Sequence, residues 1–301
     1  MADHFDSAHL IGHVKDATHF EVPRALGGLD GRPDGYLDIP QLVEHPEPII
    51  SLQTGFAPID EMIEPLDLKV TKFMVLEVVA AVVAIALFTM LAQRISKVGA
   101  IKGRLWNLLE TMLVFIRDEV ARPAIGKHDA DRFVPFLWTV FIFVLGCNLL
   151  GMVPWLGSPT GALATTGAMA LITFVTVVGS GMKKLGPIGF WIAQVPHMEL
   201  PAVMAPMKFG IFLIEVLALF IKHFVLAVRL LANMMAGHLV LAVLIAFIAA
   251  AWNSWAVYVV SPASILGATA FSLLELFVAF LQAYIFTFLA ALFIGSAVHP
   301  H

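Results

Sequence analysis

Five stretches of the chain are apolar over enough residues to cross a membrane, at about 73–92, 133–156, 161–182, 207–251 and 264–298. About 20 residues in a helix traverse the ~30 Å hydrocarbon core, so the first three read as ordinary single spans. The fourth has no proline between Met207 and Ala251, and as one helix it runs about 67 Å, roughly twice the core thickness. The fifth, at about 52 Å, is also too long to stand upright without projecting into water. The pattern therefore predicts an all-α membrane protein of about five crossings, whose last two helices are long, strongly tilted and antiparallel.

The polar segments between the runs set the orientation. Arg94, Lys97, Lys102, Arg104, Arg117, Arg122, Lys127 and Arg132 crowd the first connection, whereas 157–160 and 252–263 carry no charge. Basic loops stay on the cytoplasmic side. Threading five crossings from there puts Lys183, Lys184 and the C-terminus inside, and the N-terminal segment outside. Within the basic loop Leu105, Leu108, Leu109, Met112, Leu113 and Ile116 recur at helical spacing opposite Asn107, Glu110, Arg117 and Asp118. That spacing predicts an amphipathic helix on the membrane surface. Pro187, Pro196, Pro201 and Pro206 make 185–206 too broken for a regular helix, so an interfacial or re-entrant connection is expected there.

Composition sharpens this picture. Apolar residues make up 59% and charged residues 13% of 301, and a mean hydropathy of +0.89 fits no ordinary soluble domain. Charge is segregated: residues 1–69 hold 13 of the 22 acids and 4 of the 18 bases, so this segment is net −9 and the remainder net +5. Two units follow, an acidic extracytoplasmic segment at 1–69 and a polytopic domain at 70–301. MADHFDSAHL has neither the basic start nor the apolar stretch of a cleaved leader. The Gly/Pro/Asp-rich ALGGLDGRPDGYLDIP reads as loop, and histidines 4, 9, 13 and 19 lack zinc-type spacing. Without a basic stripe, nucleic-acid binding is excluded, and Cys147, the single cysteine, cannot form an intrachain disulfide.

The chemistry lies in the last two helices. Lys208, Glu215, Lys222 and Arg229 recur every seven residues, a step about 20° short of two full turns, so they share one face. Neighbours lie about 10 Å apart along the axis, too far to neutralise one another. The face must meet water, a facing helix or another subunit. Glu275 and Gln282 repeat the spacing on the last helix. A charge at membrane depth costs roughly 2.5–3.5 kcal/mol on insertion scales, which marks such residues as functional candidates. Lys208, near a helix end, reads as a snorkelling cation. Glu215 and Lys222 fit either an internal pair network or a water path, His223 reads as packing or interfacial, and Asn148 as helix–helix glue or a channel group. Arg229 stands apart, mid-helix between VLAV and LLAN with no nearby acid in sequence.

These residues carry a resemblance. AVRLLANMMAGHLVL resembles the arginine-helix signature of subunit a of F-type ATP synthases, LQAYIFTFLAALFIG resembles that family's final helix, and FVLGCNLLGMVP its second-span motif. The resemblance covers about 70–298. It implies a multi-pass, proton-translocating stator subunit of an energy-transducing membrane, here the bacterial inner membrane. Such a subunit is not catalytic alone and carries no cofactor. The implied partners are a rotating ring of c subunits against the helix pair at about 207–298, peripheral-stalk b subunits, the other synthase subunits and the lipid bilayer. The family places two half-channels around the pair. Carried onto this sequence, Arg229 is the essential arginine facing the ring carboxylates. His238, Glu275, Gln282, Asn233, Glu215 and Lys222 belong to the proton pathway, with His238 and Glu275 as a coupled acid–base pair. Departures are His223 where many members have proline, Val225 where some have serine, and GALATTGAMAL, which lacks an asparagine common in the family.

Two other classes fare worse. A self-contained secondary transporter predicts inverted internal repeats, and the halves of this chain show no such symmetry. An intramembrane hydrolase needs a serine, aspartate or metal constellation, but HMELP at 197–201 is not HExxH and no GxSG or GxGD string occurs.

Overall fold

The computed structural model describes residues 17–21, 36–41, 69–98, 103–153, 156–194, 205–252 and 254–299. Two three-residue strands, β1 (His19–Glu21) and β2 (Tyr36–Asp38), pair antiparallel with Phe20 opposite Leu37. β2 falls within the stretch read as loop; three-residue strands are too short for alternation to announce them. His19 lies in β1, while histidines 4, 9 and 13 lie outside the described residues. Among the described residues no group of three His, Cys, Asp or Glu is placed to hold a metal.

The rest is helical. α1 (Lys72–Val98) is followed by α2 (Arg104–Phe115), a π-turn at Ile116–Ala121 and α3 (Arg122–Ile125). Then come α4 (Ala130–Gly151), a 3₁₀ turn at Pro159–Gly161, α5 (Leu163–Leu185) and α6 (Pro187–Ala193). α7 (Ala205–Ala251) and α8 (Val257–Val298) close the chain. Five helices, α1, α4, α5, α7 and α8, are long and apolar enough to cross a membrane. α7 is unbroken over 47 residues, and α8 begins seven residues before the expected start, carrying Pro262 near its N-terminal end. The membrane-like stretches of α7 and α8, 45 and 42 residues, have lengths of about 68 and 63 Å, so neither fits along the normal of a ~30 Å core.

The pair runs antiparallel. Gly237 of α7 faces Glu275 of α8, Gly267 faces Leu244, and the His223 and Phe293 rings stand 4.9 Å apart, so one number rises as the other falls. The C-terminal half of α8 is the spine of the core. Ala279, Ala283, Ala290, Ala291 and Ile294 are fully buried there. Small residues let helix backbones approach closely where no hydrophobic effect separates helix from lipid. At Gly295 the approach is so close that any side chain would collide with the Ala124 carbonyl of α3.

The expected surface helix is α2, and only part of its apolar face is exposed. Leu105 and Leu108 are exposed, whereas Leu113 and Ile116 are buried against the bundle. Trp138 Nε1 of α4 donates to the Leu113 carbonyl at 2.8 Å and fixes the docking. In the π-turn beyond, Asp118 accepts from Arg117 Nε at 3.0 Å and from Arg122 Nη1 at 2.7 Å, and the Arg117 hydrogen bond holds its carboxyl below the usual range. The expected irregular connection begins with a helix: α5 ends at Gly186, whose φ of +82° is left-handed, and Pro187 opens the seven-residue α6. Residues 195–204 lie outside the described set.

One ion-pair cluster ties three helix ends together. Asp129, preceding α4, accepts from Lys184 at the end of α5 and pairs with His299 beyond α8 at 3.1 Å. The start of α4 and the ends of α5 and α8 therefore share one end of the bundle, as five alternating crossings require. The Lys184 hydrogen bond is the main cause that keeps the Asp129 carboxyl low.

Candidate functional site

Arg229 sits near the middle of α7, half-buried, between the fully buried Leu226 and Leu230. No hydrogen bond or ion pair joins its guanidinium to any described residue. The rest of its stripe is similarly turned away from the core: Lys208 and Lys222 are exposed, Glu215 and Asn233 half-buried. Around them Leu213, Ile214, Leu217, Phe220, Ile221 and Phe224 are exposed as well. The outer face of α7 is thus largely apolar with isolated charges, Lys208, Lys222 and Arg229 positive and Glu215 negative. An unpaired charge at that depth is costly, so the face is chemically incomplete as it stands.

On the inner side the polar groups of α8 are buried. Glu275 is 5% and Gln282 6% exposed, with Ala279 between them on the same face. Glu275 Oε1 is buried with no hydrogen-bond partner and lies in the space a side chain at Gly237 would take. His238, the next residue, is half-buried, and its Nε2 is likewise buried and unpartnered. The structure therefore brings Glu275 to the residue beside His238, but no hydrogen bond or ion pair connects the two side chains. Both atoms remain open to a proton or a water. Arg229 lies on α7 between the His223 and Gly237 crossings, as Gln282 lies on α8 between the matching Phe293 and Glu275.

His223 is 4% exposed, with Nδ1 2.9 Å from the Leu219 carbonyl and its ring edge-on to Phe174 at 5.2 Å. This aromatic packing matches the sequence reading of that residue. Asn148 is fully buried and acts as interhelical glue: Nδ2 donates to the Ala279 carbonyl at 3.2 Å, and Oδ1 accepts from Thr160 Oγ1 at 2.8 Å, which in turn meets Ser158 Oγ at 2.9 Å. One intramembrane acid escaped the sequence reading. Glu77 of α1 accepts from Thr165 Oγ1 of α5 at 2.6 Å; it stands alone in FMVLEVVAAVV, and a single carboxylate in an apolar run was signal enough.

A family model described as ATP synthase A chain matches residues 74–295. Among individual proteins, ATP synthase subunit a of Myxococcus xanthus (strain DK1622) is 41% identical over 293 residues, covering 96% of this chain and 88% of that protein. The subunit a of Anaeromyxobacter sp. (strain Fw109-5) is 36% identical over 303 residues, covering 98% and 71%, and that of Chloroherpeton thalassium (strain ATCC 35110 / GB-78) is 40% identical over 240 residues, covering 77% and 67%. The first two similarities extend beyond residue 70 into the acidic N-terminal segment, further than the motifs alone reach.

Proposed function

This chain belongs to the family of ATP synthase subunit a, and from that premise we propose that it forms the two half-channels of the membrane sector and presents Arg229 to the carboxylates of a rotating ring of c subunits. The observation that carries the proposal is the half-buried guanidinium of Arg229, without a hydrogen bond or ion pair among the described residues, on a largely apolar face of a 47-residue helix that it shares with Lys208, Glu215 and Lys222. A fixed cation there calls for an anion supplied by another chain, and a ring carboxylate is the matching group.

The chemistry follows from solvation. A ring carboxylate travelling through lipid must be protonated, because an isolated charge is strongly disfavoured there. Opposite a guanidinium the ionised form is favoured, so the proton leaves into one half-channel and is regained from the other. Arginine suits the role better than lysine, since it keeps its charge and is less strongly hydrated. Each elementary charge crossing 100 mV yields about 2.3 kcal/mol, so several protons must be gathered per ATP, and a rotor accumulates them.

Within this reading His238 and Glu275 hand protons between the outer aqueous side and the ring, Asn233 and Gln282 flank the arginine, and Glu215 and Lys222 line the inner half-channel. The chain does no catalysis alone. Residues 1–69 form an extracytoplasmic unit and 70–301 the channel domain, in the bacterial inner membrane with the C-terminus cytoplasmic. The peripheral-stalk b subunits hold it against the ring's drag. Isolation of the tagged chain from its native membrane tests the assembly: the expected result is co-purification with a c ring, b subunits and an ATP-hydrolysing sector. A chain recovered alone, or with none of these, would contradict it.

A further inference from the structure

At the bundle end where α4 begins and α5 and α8 finish, a crevice of about 540 Å³ opens to the surface. Its walls divide by chemistry. Toward the helix ends stand Arg132, Lys183, Lys184 and Asp129, with Phe133 near the start of α4 and Val298 at the end of α8; further along α5 stand Val175, Thr176, Gly179 and Ser180. Lys184 is committed to Asp129, which is also held by His299. Arg132 and Lys183 have no acidic partner among the described residues, so the mouth carries two uncompensated cations.

The apolar part continues outward. A side chain added at Gly179 would meet nothing within 4 Å, and Ile172 and Val175 beyond it are exposed on the outside of α5. The hydroxyls of Thr176 and Ser180 are turned onto their own helix, donating to the Ile172 and Val177 carbonyls, so they offer no free donor to the crevice.

We propose that this crevice binds one anionic glycerophospholipid, its phosphate between Arg132 and Lys183 and one acyl chain lying along Val175 and Gly179. Charge complementarity selects the occupant: guanidinium and ammonium groups bind phosphate, and a basic notch opening onto an apolar groove at helix ends matches a headgroup joined to a chain. A soluble anion would use the cations and leave the groove bare; a neutral lipid would fill the groove and leave the cations unmatched. The proposal does not depend on the half-channel reading.

The test uses the whole synthase complex reconstituted in phosphatidylcholine vesicles doped with a phosphatidylglycerol bearing a photoactivatable group in its acyl chain, with a matched photoactivatable phosphatidylcholine as control. The expected result is labelling of the peptide containing residues 172–184, with about a tenfold preference for phosphatidylglycerol from two surface cations. Arg132→Gln with Lys183→Gln should remove the preference while leaving phosphatidylcholine labelling and ATP hydrolysis by the complex as in the parent. Should the double replacement unfold the complex, Lys183→Gln alone should lower the preference severalfold. Equal labelling by both lipids, a preference that survives the replacements, labelling abolished by millimolar inorganic phosphate, or a crevice occupied by another subunit would each overturn the proposal.

Discussion

The carboxylate of Glu275 occupies the space where a side chain at Gly237 would stand. Glycine at 237 is therefore a packing requirement of the α7–α8 crossing, and it sets the depth at which the Glu275 carboxylate is buried, one residue from His238.

Gly237→Ala should push the carboxylate aside. The overpacking is expected to cost about 1–3 kcal/mol of stability. Proton-driven ATP synthesis in inverted vesicles should fall more steeply than the amount of assembled complex, since a displaced carboxylate is lost to the proton path. Equal losses in both would reduce Gly237 to a packing role.

His238 and Glu275 are expected to work as a pair although no bond joins them in the isolated chain. Single replacements should slow proton flux, and His238→Glu combined with Glu275→His should restore part of it, because the chemistry is kept with its direction reversed. Flux in the double exchange no better than in the worse single variant would separate the two residues.

Asn148→Leu should remove the tie to Ala279 and the Oδ1 acceptor of Thr160, whose hydroxyl keeps only Ser158 as its partner. A loss of about 1–2 kcal/mol is expected. Thermal unfolding of the complex measures it, with Thr160→Val expected to show a smaller loss because the Asn148 to Ala279 bond survives.

The Asp129 cluster predicts a pH signature. Its carboxyl is held low by Lys184, so its stabilising contribution is present above the ordinary carboxylate pKa of about 4 and fades as pH falls through the lower folded value. Asp129→Asn should lower the thermal midpoint slightly at neutral pH, since exposed pairs contribute little. The gap to the parent should close only below about pH 4. A gap that persists in strong acid would assign the effect to something other than this charge.

Much of the architecture was legible in the residues. Unbroken apolar runs marked all five long helices, and the absence of proline between Met207 and Ala251 foretold the single α7. The start of α8 was misplaced because Trp252, Pro262 and the small polar residues around them read as a turn; near a helix's start proline removes little. The π-turn after α2 leaves no periodic trace. Side-chain ties such as Asn148 to Ala279 join residues 131 positions apart, and a single sequence does not state which helix faces which. The seven-residue step placed Lys208 to Arg229 on one face, and in the fold the Arg229 guanidinium has no hydrogen bond or ion pair among the described residues, in keeping with the absence of a nearby acid in sequence.

Arg229→Ala tests the central claim most directly. The change removes one fixed positive charge and little core volume, so the complex should assemble with ATP hydrolysis in its soluble sector intact. In vesicles energised by an imposed proton gradient, ATP synthesis by the variant should be abolished, and Arg229→Lys should not restore the parent rate. Normal gradient-driven synthesis with alanine at this position would contradict the account.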